Sequence, residues 1–208
     1  MMIGVFGGTF DPIHYGHLRS ALEVKDVFAL SKLLLIPSAQ PPHREQPIAS
    51  AAQRLQMLEL ALSHEPELCI DARELANNGP SYMVDTLSSL SKDYPEDTFL
   101  LFIGGDAFKQ LTNWHQWQRL FDLAHVVVMT RPGVVIDTMI EFFKQRHCQQ
   151  LTELASTRAG KLYFQHVTPL DISATAIRHM ITQQQNPGFL LPDTVLAYIK
   201  QHQLYQRH

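Results

Sequence analysis

The 208-residue sequence is poor in cysteine and has no excess of positive charge. Its two cysteines, Cys69 and Cys148, stand alone, without the paired spacing of a metal site or the density of a secreted disulfide framework. The chain has 17 basic and 20 acidic residues, so the basic surface that polymeric nucleic acid requires is not expected. Two isolated cysteines fit a reducing cytoplasm.

Long apolar runs and two common nucleotide-binding signatures are absent as well. The start, MMIGVFGG, lacks the cationic and apolar regions of a secretion signal, and no apolar run approaches the roughly 20 residues of a membrane span. A Gly-x-Gly-x-x-Gly fingerprint is missing, so a dinucleotide cofactor is poorly supported, and the missing Gly-x4-Gly-Lys-Ser/Thr sequence excludes a P-loop. We expect a cytoplasmic protein without a membrane partner.

What the chain does contain is an alternation of short β-rich runs and helical patterns. Leu55, Leu58 and Leu62, for example, form one apolar helix stripe. Strands are predicted at residues 3–6, 33–36, 68–71, 99–103, 126–130 and 162–167. The order predicts one domain over residues 1–208: an α/β, doubly wound parallel sheet followed by a C-terminal helical segment. Its ligands would lie beyond the carboxyl ends of the strands.

The stretch GGTFDPIHYGH, residues 7–17, directly follows the first predicted strand. Glycines at this position let the backbone approach a phosphate, and the start of the next helix offers unpaired N–H groups. His14 precedes that helix and His17 lies in its first turn, where both could donate to phosphoryl oxygens, as cations or as neutral rings. The alternative is a tight turn with two surface histidines. Asp11 is expected to be largely structural, since Asp-Pro in such a loop most often fixes the turn.

The stretch ISATAIR, residues 172–178, offers a second anion site far downstream. Ser173 can cap a helix, Thr175 lies in its first turn, and Arg178 follows one turn later, within reach of the same anion. Taken alone, this pattern is also that of a simple helix cap.

Together the two stretches resemble the signatures of the nucleotidyltransferase superfamily, with its His-x-Gly-His motif and its Ile-Ser-x-Thr-x-x-Arg turn. The whole chain is similar to bacterial nicotinate-nucleotide adenylyltransferases, whose segments resemble PPHR, PSYMVDTL, IGGDAF, NWHQW, VVVMTRPG and LLPDTVLAYI in the same order. The resemblance implies a Rossmann-like nucleotidyltransferase fold. It also implies adenylyl transfer from ATP to nicotinate mononucleotide, a step of NAD biosynthesis, without a covalent enzyme intermediate. Mg²⁺ would enter with ATP, and no metal site made of protein side chains is expected.

The resemblance also assigns residues to the two halves of one site. The implied catalytic residues are His14, His17 and Arg178. The implied ATP-binding residues are Gly7, Gly8, Thr9, Phe10, His14, His17, Gly104, Asp106, Ser173, Thr175 and Arg178. The implied mononucleotide-binding residues are Ser38, His43, Arg44, Tyr82, Met83, Trp114 and His115. Tyr82 and Trp114 would flank the pyridine ring, and backbone N–H groups around Met83 and His115 would receive its carboxylate.

Several alternatives stay open. Asp106 could instead cap the helix that follows it. Ser38 and Met83 replace an asparagine and a threonine that are common in the family, which leaves the choice between acid and amide mononucleotides open. A phosphopantetheine adenylyltransferase would share both signatures, and a nucleotide-binding sensor could keep the pocket without turnover. A cytidylyltransferase-type second motif and a Lys-Met-Ser-Lys-Ser-like element are both absent. A zinc site at His14 and His17 lacks a clear third ligand.

Overall fold

All six predicted strands are present in the computed structural model, which describes residues 1–40, 46–76, 79–130 and 139–206. The strands are β1 (Met2–Gly8), β2 (Lys32–Pro37), β3 (Leu68–Ile70), β4 (Thr98–Gly104), β5 (His125–Thr130) and β6 (Leu162–His166). Both β3 and β6 end one residue before the predicted position. The continuous burial of β2 and β5 explains why their sequences are almost wholly apolar.

The strands form one parallel sheet in the order β3-β2-β1-β4-β5-β6. The direction in which successive strands are added reverses between β1 and β4, so the carboxyl ends of these two strands border a crevice. Gly8 at the end of β1 pairs with Pro37 of β2, and Phe6 pairs with Phe102 of β4. The predicted doubly wound sheet is therefore confirmed.

Helices cover both faces of the sheet. They are α1 (Tyr15–Val27), α2 (Ala51–Leu62), α3 (Met83–Asp93), α4 (Gly105–Lys109), α5 (Leu120–Leu123), α6 (Glu141–Lys144), α7 (Ala174–Thr182) and α8 (Asp193–Gln201). Short 3-10 turns lie at Arg73–Ala76, Leu111–Asn113, Trp117–Arg119 and Leu151–Ser156. None of the helices in the described ranges has the length and apolar character needed to cross a bilayer.

Two apolar cores result, one on each face of the sheet. Met57 of α2 and Val195 of α8 belong to one core, and Leu87 of α3 belongs to the other. The predicted C-terminal helix pair is present as α7 and α8, and Thr194 of α8 donates a hydrogen bond to the carbonyl of Leu60 in α2. Helices α2 and α8 therefore pack against each other on one face of the sheet.

Candidate active site

The first signature forms the turn between β1 and α1. A Cβ atom at Gly7 would lie 2.6 Å from Met83 Cε, and one at Gly8 would lie 2.8 Å from the ring of Phe10. Phe10 has a left-handed backbone with φ of 50° and is 1% exposed. A non-glycine residue in this region is strained and persists only where packing holds it. Packing therefore fixes the conformation of this loop before any ligand binds.

His14 and His17 stack on each other at the start of α1. Their ring centroids are 3.7 Å apart with an interplanar angle of 26°. His14 is the N-cap residue, 5% exposed, and burial lowers its pKa from 6.5 to about 4. Among the described residues, none hydrogen-bonds His14 Nδ1. Of the two states that the sequence allows, the structure favours a neutral His14 ring that can donate one N–H.

The second signature reaches the first across the carboxyl edge of the sheet. Ser173 is the N-cap of α7, and its hydroxyl accepts from the backbone N–H of Ala176 at 3.1 Å, as a capping residue should. Arg178 donates from Nη1 to the carbonyl of Asp11 at 2.7 Å and from Nη2 to Thr175 Oγ1 at 3.4 Å. The two signature motifs, about 160 residues apart in the sequence, therefore lie side by side. Binding of one anion by both motifs requires this proximity.

The carboxylate of Asp11 joins this loop to two distant parts of the chain. It accepts from the hydroxyl of Tyr205 at 2.7 Å and from the backbone N–H groups of Ile48 and Ala49 at 2.8 and 3.2 Å. Asp11 is 4% exposed. The expectation that Asp11 is mainly structural is consistent with these bonds, although its partners lie far beyond the local turn.

The end of β4 lies next to this loop in the sheet. Gly104 is the N-cap of α4 and no side chain caps the helix, while Asp106 is exposed in its first turn. The alternative that Asp106 caps the helix is therefore wrong. Its carboxylate is free to face the crevice that β1 and β4 border, where a ribose hydroxyl could donate to it.

The residues assigned to the mononucleotide cluster around the start of α3. Tyr82 is the N-cap of α3 and Met83 is its first residue. The ring of His115 lies over Tyr82, with centroids 4.4 Å apart and tilted by 34°. Tyr82 and Trp114 are both half-buried against the same apolar core. The flanking of a pyridine ring by Tyr82 and Trp114 stays a prediction, because His115 covers Tyr82 here.

The loop after β2 completes this side of the site. The Ser38 backbone N–H donates to the carbonyl of Gly8 at 2.9 Å, and its hydroxyl donates to the same oxygen at 3.4 Å. This holds the loop against the end of β1. The two other predicted residues of this loop, His43 and Arg44, lie outside the described residues.

Comparison with known proteins identifies the family. The Cytidylyltransferase-like family matches residues 5–180. A probable nicotinate-nucleotide adenylyltransferase of Methylococcus capsulatus is 46% identical over 99% of this chain and all of that protein. A relative of the same name from Acidithiobacillus ferrooxidans is 44% identical over 97% of this chain and 94% of that protein. The chain belongs to the nicotinate-nucleotide adenylyltransferase family.

A solved structure of this family has the same fold. The Plasmodium falciparum nicotinic acid mononucleotide adenylyltransferase complexed with NaAD superposes with a TM-score of 0.74, at 17% identity, over 98% of this chain and 97% of that one. The family consists of nucleotidyltransferase enzymes, and the Rossmann-like nucleotidyltransferase fold expected from the resemblance is confirmed.

No group of three or more histidine, cysteine, aspartate or glutamate side chains within the described ranges is arranged to hold a metal ion. A hard cation such as Mg²⁺ often keeps several waters and binds through substrate phosphates instead of an all-protein cage.

Two buried charged residues were not predicted from the sequence. Arg54 of α2 is 1% exposed and Glu74 is 5% exposed, and both lie under the loops of the site. One signal was available for Arg54: it lies three and four residues before the buried Met57 and Leu58, on the apolar face of its helix. No comparable pattern marks Glu74.

Proposed function

We propose that the chain transfers the adenylyl group of ATP directly to nicotinate mononucleotide, giving nicotinate adenine dinucleotide and pyrophosphate. One observation carries this proposal: the stacked His14–His17 pair and Arg178 meet at the carboxyl end of β1, beside the N-termini of α1 and α7. The names of the relatives, which are 40–46% identical over nearly the whole chain, support the same activity.

In this mechanism, a phosphate oxygen of the mononucleotide attacks the α-phosphorus of ATP. The bond from that phosphorus to the oxygen bridging to the β-phosphorus breaks, and its electron pair leaves with pyrophosphate. A phosphate needs no activation at neutral pH, so no enzyme nucleophile takes part, and the protein aligns the reactants and stabilises the charge that develops on the phosphates. His14 and His17 donate to phosphoryl oxygens, and Arg178 supplies a fixed positive charge.

The ATP side would use the backbone of Gly7, Gly8, Thr9 and Phe10, with Ser173 and Thr175 at the start of α7. Gly104 and Asp106 would meet the adenosine. Mg²⁺ bound to the triphosphate would neutralise part of its charge, held by substrate oxygens and water. We also propose that residues 1–208 act as a single nucleotidyltransferase domain and that the protein works in the cytoplasm, which two isolated cysteines support.

On the other side, we assign the mononucleotide's phosphate to His43 and Arg44 and its pyridine ring to Tyr82 and Trp114. The N–H groups around Met83, at the start of α3, precede the first intrahelical hydrogen bonds, which begin at Asp85, and would receive the carboxylate together with the N–H of His115. To expose the face of Tyr82, the His115 ring would move aside, because it lies 4.4 Å from Tyr82 without a ligand.

The proposal is tested by mixing the protein, ATP and Mg²⁺ with one acceptor at a time: nicotinate mononucleotide, its amide, or phosphopantetheine. Pyrophosphate release should be fastest with the acid mononucleotide. Release only with phosphopantetheine would move the chain to another branch of the superfamily. Nucleotide binding without release from any acceptor would support a sensor.

A further inference from the structure

Arg54 spans two loops of the site from below. From its buried position on α2, Nη1 donates to the carbonyl of Thr9 at 2.7 Å and Nη2 donates to the carbonyl of Ala39 at 3.3 Å. Thr9 belongs to the turn assigned to the triphosphate, whereas Ala39 follows β2 on the mononucleotide side. One guanidinium therefore joins the loops at the ends of β1 and β2.

A second polar chain continues from Ala39 to the start of α3. The Ala39 backbone N–H donates to Ser81 Oγ at 2.9 Å, and the Ser81 hydroxyl in turn hydrogen-bonds the buried carboxyl group of Glu74. Glu74 also accepts from Thr86 Oγ1 at 2.6 Å, in the first turn of α3. The bonds from Thr9 to Thr86 thus form a continuous path under both halves of the site.

Stability alone gives a poor account of Arg54. Burial lowers the pKa of its guanidinium by more than the nearby Asp11 carboxylate raises it, and its Nε has no hydrogen-bond partner among the described residues. A buried, incompletely satisfied charge commonly costs more than an apolar side chain of similar size. The two carbonyl groups that the arginine holds indicate a role in the geometry of the site instead.

We propose that Arg54 is a positioning residue that sets the distance and angle between the triphosphate turn and the mononucleotide loop, with Ser81 carrying the link onward to α3. The inference rests on the proposed adenylyl transfer and deepens it. Direct attack requires the two reacting atoms to approach within about 3–3.5 Å in line, and a displacement of about 1 Å can cost about 100-fold in rate. Neither loop alone could set the distance between the two reacting atoms, because each loop binds a different reactant.

The test replaces Arg54 with methionine, which has a similar length and no charge. Turnover should fall about 10- to 100-fold, while the affinity for each substrate alone, measured by calorimetry with a non-hydrolysable ATP analogue or with the mononucleotide, should change by less than about threefold. The melting temperature of Arg54→Met should fall, because the carbonyls of Thr9 and Ala39 lose their donor, so turnover and binding are measured well below the unfolding transition. Arg54→Lys, which can reach only one of the two carbonyls, should restore part of the turnover.

Arg146→Met is the matched control. Arg146 is half-buried, packs on Phe142, and accepts at its backbone carbonyl from Leu162 at the amino end of β6, away from the site. This variant should keep wild-type turnover. Should Arg54→Met fail to fold, Ser81→Ala removes the acceptor of the Ala39 N–H and should show the same pattern, with lower turnover and unchanged binding of the separate substrates.

Two results would overturn the inference: wild-type turnover in Arg54→Met, whatever its melting temperature, or a turnover loss accompanied by an equal loss in the binding of one substrate alone. The proposed function fails differently. A wild-type chain that binds both substrates but releases no pyrophosphate would refute adenylyl transfer, whereas an active wild type with a fully active Arg54→Met and Ser81→Ala would refute only the positioning role.

Discussion

The neutral, buried state of His14 predicts an unusual pH dependence of stability. Its pKa falls from 6.5 in the unfolded chain to about 4 in the folded protein because burial disfavours the charged ring. As the pH drops below 6.5, the unfolded state takes up a proton that the folded state does not, so stability is fully present above pH 6.5 and is lost towards pH 4. The loss is roughly 3 kcal/mol over the whole window and about 2 kcal/mol by pH 5.

Urea unfolding at several pH values, on wild type and on His14→Gln, measures this contribution. His125 has a lowered pKa and Glu74 a raised one, both from burial, so the wild-type curve alone mixes several groups. The difference between the two proteins isolates His14: the stability gap should shift by about 2 kcal/mol in favour of the variant between pH 8 and pH 5. The exposed His64 provides the control, and His64→Gln should follow the wild-type curve. Parallel curves for wild type and His14→Gln would refute a neutral His14.

Three further predictions concern the reaction. His17→Ala removes a phosphate donor and should lower turnover about 10²- to 10³-fold with little change in unfolding free energy, whereas wild-type turnover would contradict its role. Arg178→Lys keeps the charge but cannot hold both Asp11 and Thr175. Calorimetry should therefore show weaker ATP binding and nearly unchanged mononucleotide binding. A loss confined to mononucleotide binding would contradict the assignment of Arg178 to the ATP side of the site. The acid mononucleotide should be preferred over the amide by about 10²- to 10⁴-fold in kcat/KM. Met83→Thr should change this ratio less than about tenfold, since the proposed contact is made by backbone N–H groups. A ratio near one would reject that assignment.

Most of the fold could be predicted from the sequence because its strands are buried on both faces. A parallel strand such as β5 has no polar face, so its apolar run stands out without any knowledge of its neighbours. The helix starts at His14 and Ser173 were predictable for a similar reason, since turn glycines and capping residues act locally. A short element such as α6, at four residues, spans little more than one helical turn, too few for a repeating apolar pattern, and was not predicted.

The sequence could not predict what lies beneath the site. Asp11 bonds to Tyr205 across 194 positions, and Arg54 bonds to Thr9 across 45. A charged residue on a helix is usually solvated, and only the closing of loops from distant segments turns such a residue into a buried donor. The ring contact between His115 and Tyr82 depends in the same way on two segments meeting after strands β3 and β4, and no local pattern encodes it.

The central claim, direct adenylyl transfer from ATP to nicotinate mononucleotide, is tested most directly by the stereochemical course at the α-phosphorus. The substrate is ATP made chiral by sulfur at that phosphorus, and the configuration of the thio-substituted nicotinate adenine dinucleotide is determined. A single in-line displacement predicts inversion. Retention would require an intermediate on the enzyme, and an absence of dinucleotide would contradict the substrate assignment itself.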